Sequence, residues 1–194
     1  MRIDIMVDIE TLGTEVNSTI FQISAIAFDI QTGEQITSFN KIADISKNES
    51  YDMSVTGSTL KWWLNTDKEL LSTLLNAGEG TSTELLENFT KWLVGLSTVG
   101  EIYLWGNGIL FDNNLLKHQL GDEYPIFYRN DRDVRTIADL ACTKLNLSPS
   151  ELRERYYDPS LKPHDALSDV TNQVTMVVAC YKELAGWGFD ESSI

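Results

Sequence analysis

The N-terminal part of the chain alternates apolar and polar positions in the way that β-strands do. Residues 3–9 (IDIMVDI) and 35–43 (QITSFNKIA) follow a two-residue period, and residues 19–29 (TIFQISAIAFD) are rich in β-branched and aromatic side chains. A turn signal at Thr32-Gly33 separates the second segment from the third. The pattern predicts three consecutive strands that form a β-meander.

The period changes to three and four residues from about residue 56 onward, which is typical of helices. TGSTLKWWLNT and DKELLSTLLNA show this period, and Thr81 then stands three residues before Glu84 as a capping box for STELLENFTKWLVGL. Residues 101–105 (EIYLW) predict one more strand, which ends at the Gly106-Asn107-Gly108 turn. The last predicted helices are FDNNLLKHQL, residues 134–146 and residues 165–184.

Two segments near the C-terminus lack a strong period. Residues 147–163 contain Pro149, Pro159 and Pro163 and are mostly charged, so a loop with room for a short helical turn is expected. The tail after Gly186 has no clear pattern. Strands followed by helices, one further strand and more helices indicate a mixed α/β fold with one core. With no linker or repeat, residues 1–194 are expected to form a single domain.

Composition narrows the class of protein. Apolar residues make up 42% of 194 residues, as in globular proteins, and no apolar run reaches the roughly 18–20 residues that span a bilayer. The first residues also lack a signal-peptide pattern, so a soluble cytoplasmic protein without membrane contact is expected. Cys142 and Cys180 are far apart among apolar residues and are expected to be buried free thiols.

The charge balance limits which partners the protein can bind. The net charge is −14, from 15 basic and 29 acidic residues. Binding along a long nucleic-acid backbone depends on many Lys and Arg side chains, so this composition disfavours it. A short contact, such as a strand end held through bound metal ions, is compatible with the charge.

Asp8 and Glu10 end the first predicted strand and project to the same face of it. Two neighbouring carboxylates repel each other, and burying both is costly unless a divalent cation neutralises them. The alternative is that the strand reaches water at this point. Asp112 also has two interpretations, a structural one and a ligand-binding one. It lies at the start of a predicted helix, where an acid interacts favourably with the helix dipole. The glycines on either side of Asn107 would let the backbone approach a ligand beside Asp112.

His164 and Asp169 form a His-x-x-x-x-Asp pattern directly after Pro163. A carboxylate fixed on a helix and an imidazole on the segment before it suit a base that must reach a water molecule. His118, the other histidine, lies inside a helical segment without an acidic motif and is interpreted as a surface or packing residue.

The ordered set of Asp-x-Glu, a later Asp and His-x-x-x-x-Asp resembles the DEDDh branch of the DEDD 3′→5′ exonuclease superfamily. Within it, four stretches are similar to the group that contains phage exonuclease A and RNase AS. They are DIETLGT at 8–14, LKWWL at 60–64, WGNG with FD at 105–112, and RDVRT at 132–136.

The resemblance implies an RNase H-like α/β fold, with a mixed sheet of about five strands flanked by helices. It also implies that Asp8 bridges two metal ions, that Glu10 and Asp169 hold the ion beside the attacking water, and that Asp112 supports the second ion. His164 would be the general base. Oxygen ligands favour Mg²⁺ or Mn²⁺, and two such ions suit phosphodiester hydrolysis. A homodimer is suggested by the family alone.

Substrate contacts are expected around the same motifs. The resemblance places Leu12, with the backbone of Thr11 and Gly13, beside the terminal nucleotide. Adjacent helical residues cannot share a face, so one of Trp62 and Trp63 belongs to the core, and Trp62 is preferred as the base-stacking side chain. Two further substrate-contact candidates are Asn107 and Arg135, and Arg135 could instead pair with Asp133.

The sequence therefore predicts a metal-dependent exonuclease acting on the 3′ end of single-stranded DNA or RNA. DNA is preferred through the phage-like resemblance, and RNA is the alternative through the resemblance to RNase AS. A non-catalytic nucleic-acid-binding module on the same fold is less favoured, because all five expected site residues are present.

Overall fold

A five-stranded mixed sheet forms the centre of the computed structural model, which describes residues 1–48 and 53–186. The strands are β1 (Arg2–Thr11), β2 (Ile20–Phe28), β3 (Gln35–Ile42), β4 (Glu101–Gly106) and β5 (Asp131–Asp133). Their order is β3-β2-β1-β4-β5. The β1–β2 and β2–β3 pairs are antiparallel, whereas β1–β4 and β4–β5 are parallel. The predicted meander and the mixed sheet of about five strands are confirmed.

The described residues contain seven α-helices around this sheet. They are α1 (Gly57–Thr66), α2 (Lys68–Ala77), α3 (Ser82–Ser97), α4 (Ile109–Leu120), α5 (Val134–Leu145), α6 (Pro149–Tyr156) and α7 (Ala166–Ala185). The predicted capping box is confirmed, since the Thr81 side chain accepts from the Glu84 N–H and the Glu84 carboxylate accepts from the Thr81 N–H. The tail that follows Gly186 lies outside the described residues.

Two elements depart from the sequence prediction. The segment expected to be mainly loop contains α6, because Ser148 and Glu151 form a capping box and Pro149 occupies the first turn, where its missing N–H costs nothing. The three-residue strand β5 was not predicted, since its DRD sequence has no apolar period. Its backbone pairs with the end of β4, which places the start of α5 beside the start of α4.

The two faces of β1 belong to two different hydrophobic clusters. Ile3, Ile5 and Val7 pack on one face with side chains of α3 and α4. Met6 packs on the other face with side chains of α5, α6 and α7. Because strand side chains alternate, Asp8 and Glu10 continue the Met6 face at the carboxyl end of β1, where α7 crosses the sheet. The sheet therefore presents both carboxylates to α7.

A third cluster attaches α1 and α2 to the end of β1 and β2. It consists of Leu12, Phe21, Trp63, Leu71 and Leu74. Cys142 and Cys180 are buried free thiols, as predicted. None of the described helices is both long enough and apolar enough to cross a membrane.

Candidate active site

Three carboxyl groups converge where β1 ends beneath α7. One oxygen from each of Asp8, Glu10 and Asp169 lies within 4.8 Å of the other two. Asp8 and Glu10 share a strand face, and Asp169 lies in the first turn of α7. This separation allows one cation to contact all three groups, because hard cations bind carboxylate oxygens at about 2.0–2.6 Å.

Asp112 approaches the same place from α4. Its side chain is 6% exposed, and its Oδ1 accepts a hydrogen bond from the Ile9 N–H at 3.3 Å. The turn between β4 and α4 passes through Gly108, whose φ of +103° is accessible to glycine and strained for other residues. Through this turn, the parallel pairing of β1 with β4 carries Asp112 to the end of β1.

The buried carboxyl groups have strongly perturbed acidity. Burial, reinforced by the neighbouring carboxylates, raises the pKa of Asp8 and of Glu10 well above the ordinary range. Burial also raises the pKa of Asp112 to about 7. The pKa of Asp169 is raised mainly by burial, against the His164 N–H bond and the positive charges of His164 and Arg153. A divalent cation would remove this penalty by stabilising the ionised forms.

The polar groups around the cluster also fit a bound cation. Gln173 lies one helical turn after Asp169, and its Nε2 donates to Asp8 Oδ1 at 3.3 Å. The buried Gln173 Oε1 has no hydrogen-bond partner among the described residues. A buried oxygen left without a partner is uncommon in native proteins, and a bound ion or its water shell would supply one. The donor set is rich in oxygen and therefore suits Mg²⁺ or Mn²⁺.

His164 sits immediately before α7, with its backbone in the left-handed region at φ +65°. Its backbone N–H donates to Asp169 Oδ2 at 3.0 Å, so the backbone of the base candidate is tied to the carboxylate. Asp165 fixes the position of this segment, since its carboxylate caps α7 through Ser168 and accepts from Gln22 of β2 at 2.9 Å. The imidazole packs edge to face on Trp62, with 5.0 Å between ring centroids.

The loop after Glu10 is tightly constrained. Thr11 Oγ1 donates to the Gly13 carbonyl at 2.6 Å. A Cβ at Gly13 would lie 2.4 Å from Ser18 Oγ, so the close approach of these segments requires glycine. The Leu12 side chain is 3% exposed and packs in the cluster with Phe21 and Trp63, and the neighbouring Thr11 is 6% exposed.

The two adjacent tryptophans have different environments. Trp63 is 1% exposed and its indole N–H donates to the Thr11 carbonyl at 3.0 Å. Trp62 is 45% exposed. Trp62 lines a pocket of about 530 Å³ together with Glu10, Thr11 and Gly13, which we name the Trp62 pocket. The tryptophan preferred for stacking is thus the one available to a ligand.

A second pocket adjoins it. It has a volume of about 570 Å³ and is lined by Asp8, Asp112, Asn107 and Arg135, and we name it the Asp112 pocket. Phe111 lines both pockets, so they adjoin at the end of β1, and we call the two together the cleft. The candidate residues, apart from the buried Leu12, are therefore gathered along one edge of the sheet.

Arg135 does not pair with Asp133 in the way the sequence left open. The Asp133 carboxylate caps α5 through the Arg135 and Thr136 N–H groups and also accepts from the Ile109 N–H at 3.0 Å. The Arg135 guanidinium is exposed and donates through Nε to Asn107 Oδ1 at 3.4 Å. Among the residues that the structure describes, no carboxylate forms an ion pair with Arg135. Its charge is available to the Asp112 pocket.

Sequence reasoning missed two side chains that organise the site. Gln173 could have been found from its spacing, because residues four apart lie on the same helix face and Asp169 was already a candidate. The second side chain is Asp133, which accepts a hydrogen bond from the Ile109 N–H. This bond could not have been found from the sequence, since it joins residues 24 apart through the short strand β5.

Several solved nucleases share this fold. The nuclease domain of 3′hExo, a DEDDh family member bound to rAMP, is 14% identical over 93% of this chain and 92% of that chain, with a TM-score of 0.60. Cell-death related nuclease 4 is 16% identical over 93% of this chain and 64% of that chain, with a TM-score of 0.65. E. coli exonuclease I in complex with a dA16 oligonucleotide is 16% identical, and the match covers 95% of this chain and 42% of that chain, with a TM-score of 0.66.

At these identities the likeness establishes the fold, and this chain spans less than two thirds of the second and third proteins. No curated protein matches the chain significantly in sequence. A family model does, over residues 3–181, and its description is 3′-5′ exoribonuclease Rv2179c-like domain. The match includes the strand end that carries Asp8 and Glu10, the α4 turn with Asp112 and the α7 segment with His164 and Asp169. This chain therefore belongs to the Rv2179c-like family of 3′-5′ exoribonuclease domains, hydrolytic exonucleases with a DEDDh-type fold.

Proposed function

We propose that the protein removes mononucleotides from the 3′ end of single-stranded RNA in a reaction that depends on Mg²⁺ or Mn²⁺. The observation that carries this proposal is the convergence of Asp8, Glu10 and Asp169 at the end of β1. The description of the family supports RNA as the substrate. DNA is the second candidate, because the DIETLGT and WGNG stretches also resemble phage exonuclease A.

The carboxylates have distinct places in this proposal. Asp8 belongs to the cluster with Glu10 and Asp169 and also lines the Asp112 pocket with Asp112, so its carboxylate would be available to both ions. Gln173 holds the Asp8 carboxylate through its amide N–H. Divalent ions bound there would neutralise charge on the phosphoryl oxygens and favour formation of the attacking hydroxide.

His164 supplies the general base in this proposal. An imidazole is suited to accept a proton from the attacking water near neutral pH. The Asp165 cap and the ring contact with Trp62 hold its segment beside the Trp62 pocket. The bond from its N–H to Asp169 keeps the base beside one of the carboxylates that would bind the ion.

Selection for a strand end follows from the shape of the cleft. Trp62 offers an exposed indole on which a terminal base can stack, an interaction worth roughly 1–3 kcal/mol per base. Thr11 and Gly13 form the adjoining wall of the Trp62 pocket. Arg135, held by Asn107 at the edge of the Asp112 pocket, supplies a positive charge for a phosphate.

The test is to incubate the protein with 5′-labelled single-stranded RNA and DNA of the same sequence, with Mg²⁺, Mn²⁺ or EDTA. We expect a ladder that shortens from the 3′ end, faster with RNA, and no cleavage in EDTA. The Asp8→Ala variant should lose activity by at least about 10³-fold, because its carboxylate is central to the cluster. Asp122→Ala, which removes an exposed carboxylate outside the cleft, is the matched control and should retain full activity.

Cleavage in EDTA, or full activity of Asp8→Ala, would contradict the metal-dependent mechanism. Faster degradation of DNA than of RNA would overturn the choice of substrate and leave the exonuclease mechanism in place.

A further inference from the structure

A third pocket lies beyond Arg135, between α5, α6 and α7. It has a volume of about 370 Å³, and we name it the Arg153 pocket. Its apolar lining comes from buried side chains of all three helices, namely Val134, Cys142, Leu152 and Met176. The guanidinium-bearing side chains of Arg135 and Arg153 also line it, and both residues are exposed. An apolar floor with cationic side chains at the rim suits a nucleotide, which has a flat base and an anionic phosphate.

The Arg153 pocket adjoins the cleft already described. Asn107 and Arg135 line both the Arg153 pocket and the Asp112 pocket. Phe111 in turn joins the Asp112 pocket to the Trp62 pocket. The three pockets therefore form one row, with the catalytic carboxylates near its middle and Trp62 and Arg153 at opposite ends.

The positions of the arginines favour an anionic ligand in the Arg153 pocket. Five of the six arginines lie between residues 129 and 155, in a chain whose net charge is −14. Three of these five stack on aromatic rings, with Arg129 on Phe127, Arg132 on Tyr103 and Arg155 on Tyr156. The other two, Arg135 and Arg153, line the pocket. Asp139 is the one acidic side chain among the lining residues that the structure describes.

We propose that the Arg153 pocket binds the nucleotide on the 5′ side of the scissile phosphate. Its base lies against the apolar floor, and Arg153 contacts its 5′ phosphate. This inference rests on the proposed exonuclease function, in which the Trp62 pocket takes the terminal nucleotide and the carboxylates take the scissile phosphate. The strand must then leave the cleft on the Arg135 side, where the Arg153 pocket is the adjoining cavity.

Two substrates separate this subsite from the catalytic centre. One is a 5′-labelled single-stranded RNA, and the other is thymidine 5′-monophosphate p-nitrophenyl ester, which has no nucleotide on the leaving-group side. We expect Arg153→Gln to lower kcat/KM for RNA by about tenfold or more, mainly through KM. It should lower kcat/KM for the ester by a much smaller factor, which reports the effect of the Arg153 charge on Asp169. Ala138→Leu, which narrows the pocket without a change of charge, should likewise lower kcat/KM for RNA far more than for the ester. Arg155→Gln, on the same helix but outside the pocket, is the matched control.

A binding measurement tests the phosphate contact independently of turnover. In an Asp8→Asn background, the slope of log Kd against log salt concentration should fall by about 0.7 with Arg153→Gln, the value for one single-strand phosphate contact. Ala138→Leu should weaken binding without a change of slope.

Equal losses on RNA and ester would overturn the inference, because Arg153 would then act on the catalytic carboxylates. Unchanged kinetics on RNA would overturn it as well. Failure of the unmodified protein to hydrolyse either substrate would instead refute the proposed function, on which the inference depends.

Discussion

Single residues at the end of β1 have functions that depend on a few specific contacts. His164 is the clearest case, because its backbone bonds to Asp169 while its ring packs on Trp62. The backbone of His164, and not its imidazole, makes the hydrogen bond to the carboxylate cluster. A base and a metal ligand should therefore respond differently to substitution.

We expect His164→Asn to lower kcat by about 10²–10⁴-fold, the usual contribution of a general base. Asparagine tolerates the left-handed backbone at this position, so the variant should fold. Affinity for Mn²⁺, measured by titration calorimetry, should change little. His118→Asn, at the exposed second histidine, is the matched control. An equal loss of metal affinity would show that His164 is a ligand rather than the base.

The adjacent residues Trp62 and Trp63 show that sequence position alone does not specify which side chain is buried. Trp62 and Trp63 are chemically identical, and the helical period shows that they face different ways without showing which one faces the core. Packing of α1 on Phe21 decides the matter, as it does for the burial of Leu12. Both outcomes depend on contacts between segments that are distant in sequence.

At the scale of structural elements, the short strand β5 and the start of α5 help to position the first turn of α4. Asp133 ends β5, caps α5 and accepts from the Ile109 N–H at the first turn of α4. That same turn carries Asp112. One carboxylate therefore joins the cap of α5 to the position of Asp112.

We expect Asp133→Ala to lower the free energy of unfolding by about 0.5–2 kcal/mol, the usual cost of losing a cap. It should also lower kcat/KM, because Ile109 loses its partner and the Asp112 turn is released. Thr81→Ala, which removes the cap of the remote helix α3, is the control. It should cost similar stability, measured by urea unfolding, without loss of activity. If both variants kept full activity, the link from Asp133 to Asp112 would be unimportant.

At the scale of the whole molecule, folding buries a cluster of carboxyl groups and so makes their ionisation less favourable. The pKa of Asp112 is raised from 3.8 to about 7, and burial raises those of Asp8 and Glu10 well above their ordinary range. Between pH 3.8 and about 7, Asp112 is more often protonated in the folded protein than in the unfolded chain. Stability of the metal-free protein should therefore decrease as the pH rises through this window.

We expect the Tm in EDTA to fall from pH 5 to pH 7 and the fall to be smaller in Asp112→Asn. The Asp112 contribution can reach roughly 1 kcal/mol per pH unit, or about 2–4 °C in Tm. Saturating Mg²⁺ should raise the Tm most at pH 7, where the carboxylates are most costly to bury without it. The high net negative charge is nearly the same in both proteins, so their difference isolates Asp112. Equal slopes in EDTA would contradict the interpretation.

Sequence alone determined the local structure and the chemical inventory of this protein. The two-residue period specified β1 and β3, the apolar, β-branched and aromatic content specified β2 and β4, and the three-to-four-residue period specified most helices. The order of Asp8, Glu10, Asp112, His164 and Asp169 indicated a two-metal exonuclease before their positions were known. Weakly patterned segments, β5 and α6, were missed because charged residues and prolines hide a short element that caps and pairing stabilise.

Tertiary structure alone decided how these residues meet. Parallel pairing of β4 with β1 brings Asp112 to Ile9, and the crossing of α7 brings Asp169 and Gln173 to Asp8. It also buried Leu12, exposed Trp62 and placed three adjoining pockets in a row. The physical reason is that local periodicity specifies which face of an element is buried, whereas the packing of distant elements specifies what each polar side chain faces.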